Sequence, residues 1–130
     1  GLAADARFGE QALGFAGPAS LTLEALAQRV QAVLAREPLV LPGDGRTVRR
    51  IGWCTGGAQG YFEAAIAAGV DAFITGEVSE PQAHLARETG VAFLACGHHA
   101  TERFGAPAVA AHVAARFGIE HRFIEIDNPA

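Results

Sequence analysis

The chain reads as an α/β fold, a largely parallel or mixed sheet covered by helices, because strand-length apolar runs alternate with helix-period segments. The runs are Val48–Cys54, Val70–Thr75 and Val91–Ala95. Each is followed by a polar, glycine-containing stretch and then a helical pattern closed by a glycine, at Gly69, Gly90 and Gly118. Half of the 130 residues are hydrophobic, enough for a sheet buried on both faces. The length suits a single α/β unit over 1–130.

Taken in order, residues 1–19 are rich in alanine and glycine, with Gly14, Gly17 and Pro18 as breakers, and predict a loop-rich leader with at most a short strand near Gln11–Phe15. Ser20 or Thr22 can cap a helix whose apolar residues Leu23, Leu26, Val30 and Leu34 recur at helical spacing; Pro38 ends it. Leu39–Leu41 is a short strand candidate before the turn-forming Pro42-Gly43-Asp44-Gly45. In the strand from Val48, Ile51 and Trp53 share a face. The glycine loop 55–60 leads to a helix from Tyr61. Gly76–Glu80 leads to one opened by Pro81, and the segment after Pro107 has an apolar face of Val109, Val113 and Phe117. Arg122–Ile126 alternates as a final strand.

The net charge of −4 and the absence of a Lys/Arg run argue against a nucleic-acid partner. No apolar stretch approaches the roughly 18–20 residues of a membrane span, and the start lacks a signal-peptide pattern, so a cytoplasmic protein is expected. Cys54 and Cys96 each follow an apolar run, as half-buried free thiols do. There is no methionine, even at position 1, so Gly1 is expected to be other than the natural start.

In an α/β sheet, ligands gather at the carboxyl ends of strands. Three loops hold that position: 55–60, 76–80 and 97–102. In the last, His98 and Glu102 stand four apart, so a helix puts both on one face, where imidazole and carboxylate can share a divalent cation such as zinc, manganese or iron. Spacing alone favours the plainer reading, a helix-start His98 bonding backbone with Glu102 paired to Arg103 or solvent. The Thr55–Gly60 loop is open to two readings, a tight turn or an anion cradle; it matches neither the dinucleotide fingerprint nor a P-loop. Glu77, at a strand end, needs solvent or a partner. His84, His112 and His121 lie apart from these loops and receive no role.

Trp53-Cys54-Thr55-Gly56-Gly57-Ala58-Gln59, then Asp71-Ala72-Phe73-Ile74-Thr75-Gly76-Glu77-Val78-Ser79-Glu80, then Gly97-His98-His99-Ala100-Thr101-Glu102-Arg103-Phe104-Gly105 resemble the Nif3-like dinuclear metal centre family, the GTP cyclohydrolase 1 type 2 homologs. The ending Phe123–Pro129 resembles that family's closing strand and tail, and the likeness runs from about Thr22 to the end. The resemblance implies a pair of divalent metal ions in a cleft and a toroidal homo-hexamer. It makes His98 and Glu102 metal ligands and puts Glu77 in the same cavity. Thr55, Gly56, Gly57 and His99 would be further lining residues. Family members carry more ligands, a histidine pair and an aspartate, in an N-terminal half. This chain has no histidine before His84, so the resemblance implies that it is the C-terminal half of a longer protein, or one partner of a split one.

The reaction implied is metal-assisted hydrolysis of a small-molecule substrate, with Glu77 as proton carrier. Two other classes compete: a non-catalytic metal-binding or oligomerisation module, and a Rossmann-like nucleotide-binding domain using the Thr55–Gly60 loop.

Overall fold

Alternating strands and helices from Val48 onward build two consecutive β-α-β units, and these set the framework. The computed structural model describes residues 2–126 and 128. Strands β1 (Ala6–Phe8), β2 (Gly14–Leu21), β3 (Leu39–Leu41), β4 (Val48–Trp53), β5 (Ala72–Thr75) and β6 (Ala92–Ala95) form one mixed sheet in the order β1-β2-β4-β5-β6-β3. The central β4, β5 and β6 are parallel; β2 pairs antiparallel with β4 on one side, with β1 antiparallel beyond it at that edge, and β3 pairs antiparallel with β6 at the other edge. Helices α1 (Leu23–Leu34), α2 (Phe62–Ala67), α3 (Glu80–Thr89), α4 (His98–Glu102) and α5 (Gly105–Phe117) complete the fold.

Because successive side chains of a strand point to opposite faces, the apolar runs serve two cores. Phe73 and Phe93 point to one face, where they meet Phe8 and Phe62 and the small residues Ala65 and Ala86 of α2 and α3. Ala72, Ile74, Ala92, Leu94 and Cys96 point to the other, with Ile51, beneath Leu26 of α1. Ile51 and Trp53 belong to that second cluster, on one face as the alternation requires. Local chemistry closes the helices. The Thr22 hydroxyl accepts from the Ala25 N–H at 3.1 Å, Ser79 and Gln82 form a reciprocal capping box, and Gly90 ends α3 at φ 74°.

Two expectations need correction. Residues 1–19 are not a loop-rich leader, since β1 and most of β2 lie within them. Gly17, read as a breaker, is pressed against the Ala3 backbone, where any β carbon would collide. Pro18 is tolerated because the β1 ladder ends at Ala16, so no strand pairing on that side calls for its missing N–H. Close backbone approach, not turning, explains the small residues. The second correction concerns Arg122–Ile126, which belongs to no strand, with Ile124 and Ile126 about 70% exposed (68% and 72%). Alternation makes a strand only where a ladder partner exists, and this segment instead runs beside α4. Asp127 and Pro129, in the same tail, lie outside the described residues.

The helix after Pro107 forms and is capped by Gly118 at φ 66°, yet none of its residues is buried. Val109, Val113 and Phe117 face outward. No helix among the described residues is long and apolar enough to cross a membrane.

Candidate functional site

With β4, β5 and β6 parallel and adjacent, the loops at their carboxyl ends become neighbours, and hydrogen bonds continue the ladder into them. Gly76 donates its N–H to the Gly56 carbonyl at 2.9 Å, Cys96 to Thr75 at 2.8 Å, and Gly97 to Gly76 at 2.8 Å. The Thr75 hydroxyl also donates to the Gly56 carbonyl, at 3.1 Å. Thr101 of α4 accepts from the Gly56 N–H at 3.0 Å and donates back into the first turn of its own helix. The loops expected to carry chemistry are thus joined into one platform.

Three side chains from two of those loops meet on it. His98 Nδ1 lies 2.6 Å from Glu77 Oε1, and His98 Nε2 lies 3.1 Å from Glu102 Oε2. Gln59 donates to the other oxygen of Glu77 at 3.2 Å. The groups are about half exposed, at 44% for His98, 45% for Glu77 and 49% for Glu102. Glu77 raises the His98 pKa by hydrogen bonding, with the Glu102 charge adding to it; His98 in turn holds the Glu77 carboxyl below its usual range. They line an open cleft of about 410 Å³ with His99, Arg103 and Asn128.

The glycines of the first loop are shaped by these acids. Gly56, at φ 69°, has the Glu102 carboxylate directly where a side chain would project, and a β carbon on Gly57 would sit 3.3 Å from Glu77 Oε1. Carboxylates occupying both positions are a poor cradle for phosphate, and the loop leads into a single 3-10 turn, Gln59–Tyr61, followed by the six-residue α2. The nucleotide-cradle reading of this loop has no support in its surroundings.

The donor chemistry suits a divalent ion in part. Two donors bound to one ion at ~2.0–2.2 Å each sit about 3–3.5 Å apart, and His98 Nε2 and Glu102 Oε2 are 3.1 Å apart. Glu77 at Nδ1 is the carboxylate partner that ligating histidines ordinarily have, fixing the tautomer that leaves Nε2 free to ligate. Among the described residues no group of three or more His, Cys, Asp or Glu is arranged to hold a metal. The residues fit a share of a site rather than a closed one.

The other expected lining residues separate. Thr55 faces a different, apolar cavity beside Trp53. His99 borders the cleft but turns its Nε2 to Glu125 at 3.2 Å. Arg103 donates to the same Glu125 oxygen at 3.2 Å and to the Leu34 carbonyl at 2.8 Å, tying α4 to the end of α1 and to the tail. Sequence reasoning singled out neither Thr101, Arg103 nor Glu125 for the site. Thr101 had a faint signal, lying one turn into α4 from Gly97, whereas partners 22 residues apart have none. Cys96 is buried and burial pushes its thiol up to about 12, so it is an inert core group. His84, His112 and His121 are exposed, away from the cleft.

Fold and site together define an α/β protein whose three parallel strand ends present an imidazole–carboxylate cluster on a glycine-lined platform. The family description Duf34/NIF3 (NGG1p interacting factor 3) matches residues 2–129, and the chain belongs to that family. Relatives include the GTP cyclohydrolase 1 type 2 homolog of Neisseria meningitidis serogroup B, 50% identical over 132 residues, with 100% of this chain and 53% of the relative covered. The protein of the same name from Pseudomonas aeruginosa is 58% identical over 104 residues, covering 80% of this chain and 41% of that one. Among solved structures, protein ybgI, described as of unknown function, superposes with a TM-score of 0.92 at 41% identity, over 100% of this chain and 53% of that one. A Thermus thermophilus protein superposes with a TM-score of 0.82 at 27% identity, over 100% and 52%. The chain spans about half the length of most of these relatives.

Proposed function

We propose that this chain contributes His98 and Glu102 to a dinuclear divalent-metal site serving metal-assisted hydrolysis of a small-molecule substrate. The observation that carries the reading is the single imidazole with Glu102 at Nε2 and Glu77 at Nδ1, one ligand-spaced pair and one orienting carboxylate. Two divalent ions, zinc, manganese or iron by donor type, would lower the pKa of a water and polarise the substrate. The chain's own residues hold the geometry. Glu77 fixes the ring of His98, Gln59 fixes Glu77, and Gly56 gives Glu102 the room to lie against the platform. Glu77 is also the group placed to carry a proton to and from the cleft through its contact with His98. The remaining ligands come from outside these 130 residues, in keeping with relatives about twice as long. The relatives' cyclohydrolase name agrees with a hydrolytic reaction class.

Elemental analysis tests this directly. The intact protein, with the ligands from outside these residues, is expected to hold about two divalent ions, and His98→Ala combined with Glu102→Ala to lose at least one of them while its circular dichroism stays unchanged. Equal metal content in the two proteins would refute the assignment.

A second reading, a non-catalytic oligomer-forming module, is favoured by a separate observation. Phe104, Val109, Phe117, Ile119, Ile124 and Ile126, all from residues 104–126, are large apolar side chains left exposed. An isolated helix of 13 residues is marginal in water without a face to bury, and so much apolar surface marks an interaction site. We propose that this surface is buried between copies in a homo-oligomer, hexameric by the family likeness. Phe117→Asp is expected to shift the sedimentation profile to smaller species; an unchanged profile would place the interface elsewhere.

A further inference from the structure

On the other side of Thr55 from the metal-ligand cluster lies a cavity of about 320 Å³, between α1 and the carboxyl ends of β4 and β5. It is at the small end of the range for ligand pockets, roughly 300–1,000 Å³. Its walls are mostly apolar, from Leu26, Val30 and Ile74, and Trp53 supplies a broad aromatic side. Phe15 stacks on Trp53 with ring centroids 6.0 Å apart and planes 14° from parallel, which holds the indole in one orientation. Such a slot takes a flat apolar body better than a flexible chain, because a braced ring offers a rigid face.

Two polar groups at the same cavity lack intramolecular partners among the described residues: the guanidinium of Arg29 and the hydroxyl of Thr55. Arg29 stands in the middle of α1, exposed, with no acid bonded to it. The other threonines at the wall are already committed, Thr75 and Thr101 to the Gly56 peptide. An apolar pocket with a few convergent polar groups is the general form of a small-molecule site, and a forked cation recognises a carboxylate, sulfonate or phosphate end.

We infer that this cavity binds a small organic anion with a flat aromatic body, its ring beside Trp53 and its charge on Arg29. The site shares no lining residue with the cleft of His98 and Glu102, so binding here requires no metal and stands apart from the metal proposal.

Trp53 is the chain's only tryptophan, which makes it a built-in reporter. The probe is anilinonaphthalene sulfonate, an aromatic anion that accepts excitation energy from a nearby indole, titrated into the metal-free protein. Saturable energy transfer from Trp53 is expected. Arg29→Ala, at an exposed position of α1 with no hydrogen bond or ion pair to lose among the described residues, should weaken the affinity roughly tenfold, as for loss of one charge-assisted hydrogen bond. Arg29→Lys should recover part of it, and Val30→Phe, which fills the cavity, should abolish transfer. Absent transfer overturns the inference; so does transfer indifferent to Arg29→Ala or to Val30→Phe, either of which would put the probe outside this cavity.

Discussion

Replacing Phe73 with alanine is expected to remove about 3–5 kcal/mol of folding stability. The ring is fully buried at the middle of the sheet and meets Phe8 at 6.0 Å, Phe62 at 6.0 Å and Phe93 at 5.8 Å between centroids. Phe62 and Phe93 close the group edge to face at 4.9 Å. Phe62 belongs to α2 and Phe8 to β1, so the cluster clamps a helix and the sheet edge onto the central strands. Collapse around the gap is limited because the neighbours are themselves rings braced against one another. The change would lower the melting temperature on the order of 10–20 °C. Calorimetry or urea titration measures it, and a loss below about 1 kcal/mol would mean that the four rings do not form one core.

Gly76→Ala is expected to take the candidate site apart. A β carbon there would lie 2.6 Å from the Gly56 carbonyl oxygen and 2.7 Å from His98 Cα. Both are backbone atoms held by the ladder that joins the loops, so neither can swing away as a side-chain tip would. The cost in stability is about 1–3 kcal/mol, as for other overpacked positions. The larger effect is on geometry, since the methyl wedges Gly56 apart from His98. It thereby separates Glu102 from its seat and Glu77 from the imidazole. Metal retention in Gly76→Ala should fall as far as in the His98 and Glu102 double variant. Gly60→Ala, with nothing within 4 Å of its β position, is the matched control and should retain wild-type metal. Equal retention in both glycine variants would refute the platform.

The contrast between these two glycines shows where sequence was sufficient. Gly69, Gly90 and Gly118 close helices at positive φ, a local demand readable from pattern alone. Gly76 has no such φ, and its requirement comes from loops 20 residues before and 22 after it, which nothing in its own neighbourhood announces. The same holds at the site. Four-residue spacing after an apolar run made His98 and Glu102 candidates, and parallel strands made their loop a candidate location. That Glu77 would bond His98 Nδ1 depended on β5 lying beside β6, and that Arg103 and Glu125 would tie α4 to the tail depended on the tail returning past α4.

By itself, the sequence determined the α/β class, the helices α1 to α3 with the Thr22 start and the closing glycines Gly69 and Gly90, the short apolar strands and the strand-end loops. These follow from periodicity, capping chemistry and glycine conformation, which act within a few residues. Only the tertiary structure decided the strand order, the pairing of β1 and β2 in a segment that reads as loop, and the exposure of α5 and the tail. It also decided that the glycine loop faces carboxylates. Those outcomes depend on which surfaces meet and which find no partner, and contacts between residues far apart in the chain leave no local pattern to read.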